Sequence, residues 1–543
     1  MNANRMTMLA TLAVASAAYS PLASAQNMVE AIRFSSSDII GTARYRSMAG
    51  AFGALGGDLS CMSDNPAGLA IFRGTNSISI TPHLGFTSTE TLGSAKETGK
   101  DNNWSVSNFG AVFSFMPEDD GSLVNFNIGV GIERRAQTFR KMNMELNRPM
   151  DSFGGYLFEQ ANSYLLNYNA EPSYLGTSSA WNDSHVPLLS LMGYESYALD
   201  NDPDDDRFVT NPIFDNVYQK ANMLERTRND NYNISAAANF NDVLYAGITV
   251  RITDFNSIVE HCFSEDSEYD MSGDFITYDN RVETKGSGIG VNLGLLWKPT
   301  EQWRIGAAVH TPVWTNMKEF TDASMESFNI MYEDAYNWAV QHGEEEPQNW
   351  SDYNGDYSYD FSTPWEYQFS TAYVIGTKAI VSLEYDLLDT KSMRFSASNK
   401  NNWEDKTFYK QLNNRQKDYL KAQHTIKAGV EYRISPQFSL RAGYAYKSSP
   451  YTKEALFSDL YDGEDVSLLY RTGTKTNYST LDGQYYITGG AGWRGKNWSI
   501  DLSCVSHSIK EYYSPYPCDF ADSDILDFNT HSLEWDLSFG YRF

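Results

Sequence analysis

The residue types able to carry chemistry are few and poorly grouped. His507 lies between Ser506 and Ser508, the nearest approach to a Ser–His pair. Neighbours on a strand point to opposite faces, so His507 cannot meet either hydroxyl as a base meets its nucleophile. No orienting acid completes a triad, and no catalytic residue is assigned. Asp202, Asp204, Asp205 and Asp206 sit together, and Asp352, Asn354, Asp356, Ser358 and Asp360 alternate. Both patterns invite calcium, but Tyr357 stands where an EF-hand loop needs glycine. Solvated acidic loops are the preferred reading, and no metal or cofactor is expected. Cys61, Cys262, Cys504 and Cys518 have no metal-ligand spacing, although Cys504 and Cys518 are close enough in sequence to bridge a strand to its following loop.

Binding is better represented than catalysis. Segment 140–229 carries Phe153, Tyr156, Leu157 and Phe158, then Leu188 and Leu189; segment 321–357 adds Phe328 and Trp338. Apolar clusters in polar, loop-like stretches suit a surface that captures hydrophobic small molecules. The alternative is that each loop packs a small core of its own.

The elements that must position these groups are strands. From Leu533 to Phe543 every second residue is apolar: Leu533, Trp535, Leu537, Phe539, Tyr541 and Phe543. Glu534, Asp536, Ser538, Gly540 and Arg542 occupy the other face. Similar runs recur at 78–86, 103–115, 123–139, 230–240, 243–258, 280–298, 302–317, 358–375, 378–394, 422–435, 437–449, 477–494 and 497–511, with one break in 103–115 that reads as a bulge. About fourteen strands of this kind predict an all-β fold, a transmembrane antiparallel barrel with lipid outside and polar groups inside. Short connections, such as 117–122, 298–302, 435–437 and 494–497, alternate with long ones. Trp297, Trp303, Tyr373, Tyr432, Phe438, Trp493, Trp498 and Phe543 collect beside the short turns, as an interfacial girdle would. The inward parity includes Arg251, Arg304, Glu384, Asp386, Lys427, Glu431, Arg433, Arg441, Asp501, Glu534, Asp536 and Arg542. An apolar core could not hold so many charges; a hydrated lumen or a polar plug could.

Arg5, an apolar stretch from Met6 to Ala18, and Ala23-Ser24-Ala25 read as a signal peptide cleaved after Ala25. No other segment approaches the roughly 18 consecutive apolar residues of a spanning helix. A formal charge of -27 argues against nucleic acid as a partner. It suits acidic loops above anionic lipid, where divalent cations bridge the two, and equally the plain solubility of exposed loops. Three regions follow: a signal peptide (1–25), an N-terminal segment (26–75), and a barrel (76–543) with long loops at 140–229 and 321–357.

The segment Asp38–Leu69 is rich in Gly and Ala and turns at Gly56-Gly57-Asp58 and Asp64-Asn65-Pro66. Short helices joined by tight turns would fold into the barrel mouth. Gly53, Gly57, Asp58, Asn65, Pro66, Ala67 and Gly68 carry a resemblance to the N-terminal hatch of the FadL/TodX-type outer-membrane transport proteins. The resemblance implies a barrel of about fourteen strands corked by its own N-terminus. It implies passage of long-chain fatty acids or similar hydrophobic molecules without an energy source, and exit through a wall gap at a kinked third strand. Gly129 and Gly131 face inward on that strand. They are candidates for the lateral gate, or they make room for the hatch.

The expected location is the outer membrane of a Gram-negative cell. Outer-membrane lipid and lipopolysaccharide are expected neighbours, and the terminal aromatic resembles the signal read by the barrel assembly machinery. A monomer is expected, since lateral exit needs a free wall. An alternative is a FadL-like barrel that binds and escorts proteins in a type IX-like secretion pathway. A diffusion porin for hydrophilic solutes is opposed by the hatch.

Overall fold

The computed structural model describes residues 28–92, 97–118, 121–147, 152–183, 185–201, 209–210, 217–267, 274–399, 403–456, 474–476, 478–516 and 526–543. The expected signal peptide, the 202–206 aspartates and Cys518 lie outside these residues. The alternating runs form fourteen strands: β1 Ser77–Leu92, β2 Thr98–Phe115, β3 Leu123–Asn147, β4 Val217–Phe240, β5 Leu244–Ser267 and β6 Phe275–Trp297. β7 comes in two pieces, Trp303–His310 and Trp314–Phe328; so do β8, Trp350–Ser362 and Trp365–Ile375, and β9, Ala379–Asp389 and Arg394–Ala397. β10 Gln423–Arg433, β11 Phe438–Ser448, β12 Tyr478–Arg494, β13 Trp498–Ser514 and β14 Leu526–Arg542 complete the set. Each strand pairs antiparallel with its neighbours in chain order, and β14 returns to β1 in the register Ile78↔Tyr541 and Phe86↔Leu533. The cylinder is closed, so no ladder edge is left open at the seam.

Period-two patterning decides what each face meets. β4 alternates buried and less buried residues along its whole length. Outward residues such as Ile234, Leu295, Leu383 and Phe369 are half exposed or more, and they recur on strand after strand. A continuous apolar belt of that size is intolerable in water and suits lipid. All eight girdle aromatics point outward beside the short turns. Among the described residues no helix is long and apolar enough to cross a membrane.

The strands depart from their expected limits in two ways. β4, β5 and β6 span 24, 24 and 23 residues, whereas about ten cross a bilayer. They project as a tall collar at the long-loop end, and β3 likewise runs to Asn147 rather than stopping at 139. β7, β8 and β9 are interrupted at one level. Pro312 and Pro364 supply no ladder donor there. Hydroxyls replace the lost bonds: the N–H of Val291 donates to Thr311 Oγ1 at 2.9 Å, Val313 to Thr363 Oγ1 at 2.8 Å and Trp365 to Ser392 Oγ at 3.0 Å. The expected bulge in β2 is present, as a register shift opposite Thr81 and Pro82.

Residues 28–75 fill the lumen. They form α1 Met28–Ser35, α2 Ala43–Ser47 and two short 3₁₀ turns, Leu59–Met62 and Pro66–Ile71. Ala43, Met48, Ala49, Ala51, Met62 and Ala67 have no exposed surface. Small side chains let this backbone lie close to the wall.

The long-loop end is covered. α3 Phe153–Tyr168 starts at Ser152, whose hydroxyl accepts from the Gly155 N–H, and stops at Asn169 in the left-handed region. α4 Leu188–Glu195 packs on it. α5 Ile330–His342 and α6 Trp403–Tyr419 lie in the β7–β8 and β9–β10 connections.

Candidate functional site

The hatch is built around its motif. Asp58 Oδ1 accepts from Thr42 Oγ1 at 2.7 Å and from the Ser60 N–H at 3.0 Å, which holds α2 to the first 3₁₀ turn. Gly57, at φ +70°, donates its N–H to Gly68 O at 2.9 Å. The Gly53 N–H donates to Glu384 Oε2 of β9 at 2.6 Å. Asn65 caps the second turn, accepting from the Ala67 N–H at 3.2 Å, and donates to Gly53 O at 2.8 Å and to Leu295 O of β6 at 3.1 Å. Pro66 occupies the first helical position, where no N–H is needed.

The wall is cut to fit that turn. Gly247 and Gly294 are cross-strand partners on β5 and β6. A Cβ on Gly247 would stand 2.3 Å from the Pro66 carbonyl carbon, and one on Gly294 would stand 2.1 Å from Asn65 Oδ1. Sequence reasoning found the Asn-Pro-Ala side of this contact and missed the two wall glycines. Their only signal was a pair of glycines on inward parity.

Charge fixes the hatch as well. Arg46 pairs with Glu534 and, at 2.5 Å, with Asp536 of β14; His83 lies 2.9 Å from the same aspartate. Arg44 pairs with Glu431 at 3.0 Å, and Arg441 holds Glu431 and Asp501 at 2.8 and 2.7 Å. Arg304 donates to Leu55 O at 2.8 Å. Most of the inward charges read from the sequence are therefore matched to the hatch or to each other. Asp64 is the exception within the hatch. Its Oδ1 accepts from Gln368 at 2.7 Å, and its buried Oδ2 has no protein partner. Burial, then the nearby Glu384, pushes its carboxyl well above the usual range.

The wall itself is incomplete. β2 pairs with β1 from Thr98 to Val112, but its pairing with β3 covers only Asn108–Phe115 against Phe126–Glu133. Beyond Glu133 the backbone of β3 shifts register against β4 at Arg134/Ala136, placing Arg135 in a bulge. The stretch of β2 before Asn108 and the stretch of β3 after Glu133 are not laddered to each other. A polar cavity of about 50 Å³ lies against this opening, bordered by Asn103, Gln137, Thr138 and Arg140. Buried Asn103 Oδ1 and Ser105 Oγ on β2 have no protein partner.

Gly129 and Gly131 lie just below the opening, within the paired stretch. A Cβ on Gly129 would stand 3.0 Å from Leu69 Cδ1 and from Met62 Sδ, and one on Gly131 would stand 2.6 Å from Met62 Cε. Both glycines leave space that the hatch residues Met62 and Leu69 occupy. The unpaired stretch starts at the bulge instead, a feature of hydrogen-bond register that alternation does not encode.

Four of the eight apolar loop residues are buried and the other four are half-buried. Phe153, Tyr156, Leu157 and Leu189 are buried in one cluster with Phe263, Tyr278, Tyr513, Tyr516 and Phe528 of the collar; Phe158 and Leu188 pack at its margin. Phe153 meets the Phe263, Tyr278 and Tyr516 rings at 5.1–5.6 Å. The loop has packed its own core and seals the end of the barrel. Glu265 of β5 holds the start of α3, accepting from the Phe153 N–H at 2.7 Å. Phe328 stacks on Phe275, and Trp338 lies on His342, away from that cluster. His507 faces inward, 3.1 Å from Gln484 Oε1 and stacked on Tyr486, while Ser508 faces outward and meets His531 at 3.0 Å. Among the described residues no group of His, Cys, Asp or Glu is arranged to hold a metal ion.

Comparison with known proteins adds a family resemblance and a fold. A family model described as outer membrane protein transport protein (OMPP1/FadL/TodX) matches residues 230–457, from within β4 to beyond β11. The fold is similar to that of a Pseudomonas aeruginosa FadL homologue, at 13% identity and a TM-score of 0.50, over 94% of this chain and 99% of that one. The Ralstonia pickettii toluene transporter TbuX is similar at 13% identity and a TM-score of 0.48, over 93% and 99%. The P. putida toluene transporter TodX is similar at 12% and 0.46, over 94% and 99%. No curated protein matches the sequence. The chain thus resembles the FadL/TodX-type transport proteins in a second region, separate from the hatch motif.

Proposed function

We propose that this FadL/TodX-type barrel is a passive outer-membrane transporter of hydrophobic small molecules, fatty acids or similar, with lateral release between β2 and β3. The observation that supports lateral release most strongly is the end of β2–β3 pairing at Asn108/Glu133. A fatty acyl chain gains roughly 0.8 kcal/mol for each CH₂ kept out of water. A path straight down would take it through the ion pairs of Arg44, Arg46 and Arg441 and forfeit that gain. A side exit opens directly into lipid and avoids those ion pairs. The structure described here is then the closed state. Cavities of about 70 and 50 Å³ between the hatch and the wall hold little more than a few waters, so the α3–α4 cap and part of the hatch must move for a molecule to pass. No catalytic step enters this account. Extraction of the purified barrel followed by mass spectrometry tests the reading: bound amphiphiles or hydrocarbons support it, and a protein free of them, with no uptake in vesicles, removes it.

One observation favours a second reading, a barrel that binds and escorts secreted proteins. The cap over the long-loop end is packed as a core and presents no open apolar groove at Phe153, Tyr156, Leu157 and Leu189. Stable co-purification of protein partners without small molecules would favour escort over transport.

A further inference from the structure

Loops usually run over a protein surface, because buried backbone must find partners for its polar groups. The residues just before β12 do the opposite. Thr474 and Thr476 are 1% and 3% exposed, and the Lys475 side chain is 3% exposed. Thr474 meets β6 and β7, six and five strands from β12 around the ring of fourteen. Its carbonyl accepts from the Tyr278 hydroxyl and, at 2.8 Å, from Asn280 Nδ2; its own hydroxyl donates to Asn280 Oδ1 at 2.9 Å and meets Thr321 Oγ1. Extended chain from Thr474 to Tyr478 reaches at most about 14 Å, and the long Tyr278 side chain helps complete the span. The segment is a bar across the collar.

The bar also holds the hatch. Lys475 Nζ pairs with Glu30 on α1, and Glu30 pairs with Arg33. Arg33 pairs in turn with Glu225 of β4 at 2.7 Å, and Glu225 with Arg140 of β3 at 2.7 Å. On one side of the bar, Tyr278 belongs to the core of the α3–α4 cap. On the other, α1 packs Phe34 against Phe255 and Phe361 at 5.0 and 5.5 Å. Two features let the bar leave. Thr-Lys-Thr is polar, so water satisfies its groups as well as the lumen does. Lys475 is the end link of the ion-pair chain, and its withdrawal leaves Glu30 with Arg33. No carboxylate is orphaned, which is the costly outcome when a buried pair is broken from one side.

We propose that Thr474–Thr476 is an autoinhibitory crossbar. It braces α1 through Glu30, bars the way between the cap and the hatch, and must withdraw before a molecule descends. Opening of the α3–α4 cap alone therefore does not open the lumen. The brace stands on the contacts of Thr474 and Lys475; the bar rests in addition on the transport reading.

Amide hydrogen exchange on the full-length barrel in nanodiscs tests the brace. Lys475→Met should raise exchange across Met28–Ser35 about tenfold, as loss of a charge-assisted contact does, and leave Leu59–Met62 and Pro66–Ile71 at the wild-type rate. Unchanged exchange in α1, or a rise spread over the whole hatch, overturns the brace. A bridge tests the bar. Thr474→Cys and Asn280→Cys, in a background without Cys61, Cys262, Cys504 and Cys518, place a disulfide where the two side chains now meet. Transfer of labelled decanoate into the bilayer of proteoliposomes should fall at least tenfold with the bridge closed and return on reduction to the wild-type rate or above. Transfer that continues unchanged through a verified bridge overturns the bar and leaves the transport reading standing. Absence of transfer in the wild type removes the transport reading and the bar together, and the exchange of α1 then decides the brace by itself.

Discussion

The Asp38 N–H donates to the Arg135 carbonyl at 2.8 Å, and the Asp38 carboxylate accepts from the Gln137 N–H at 3.1 Å. The hatch thus satisfies backbone groups of β3 where that strand parts from β2. An opened ladder would otherwise leave those groups without partners in an apolar surrounding, at about 1–3 kcal/mol each. Asp38→Ala removes the side-chain half of this arrangement. It should increase amide hydrogen exchange at Gln137 and its neighbours and leave β4–β6 unchanged; unaltered exchange would show that the contact does not hold the strand.

Gly294→Val should unseat the hatch. Its side chain would enter the space of Asn65 Oδ1 and the Pro66 ring, and overpacking of this kind costs about 1–3 kcal/mol. The barrel itself should still fold and run heat-modifiable on gels. Planar-bilayer conductance should rise from near zero to frequent openings. Silent bilayers with a folded variant would mean that the Asn-Pro-Ala turn is not what seals the mouth.

Arg46→Met should be among the most damaging hatch substitutions. It leaves Asp536 and Glu534 without their cation, and breaking a buried pair from one side costs about 3–5 kcal/mol. Limited proteolysis should then cut within residues 28–75 at protease levels the wild type resists. Adding Asp536→Leu and Glu534→Leu should restore much of the protection.

Asp64 gives the hatch a pH dependence. Its folded-state carboxyl titrates well above the ordinary 3.8, through burial first and then the charge of Glu384; Asp386 adds to the effect, and Lys427 and Gln368 oppose it. A raised carboxyl stabilises the folded state below pH 3.8, and that contribution is lost as pH rises through its folded value. Asp64→Asn should therefore raise thermal stability at neutral pH and flatten this part of the pH profile. A lower melting temperature at neutral pH would mean that the charged form is the one the hatch uses.

Much of this architecture is legible in the residues. Period-two alternation gave the strands, their inward charges and the outward aromatics, because lipid outside and polar groups inside impose that pattern on every strand. The motif from Gly53 to Gly68 gave the hatch. Three things were not legible. Alternation says which face a residue takes but not which partner it ladders with, so it does not encode the end of β2–β3 pairing at Glu133. Pro312 and Pro364 mark the breaks in β7 and β8, yet alternation resumes on both sides and masks them. The apolar residues Phe153, Tyr156 and Leu189 signalled burial or binding equally well, and long-range packing against Phe263 and Tyr516 decided for burial.

The most direct measurement is uptake with the wall gap locked. Cysteines at Asn103 and Gln137, in a background without Cys61, Cys262, Cys504 and Cys518, can be joined across the opening by a flexible, reducible cross-linker. Transfer of labelled decanoate into the bilayer of proteoliposomes should fall at least tenfold when the bridge is closed and return on reduction. Transfer that continues unchanged through a verified bridge would contradict lateral release between β2 and β3.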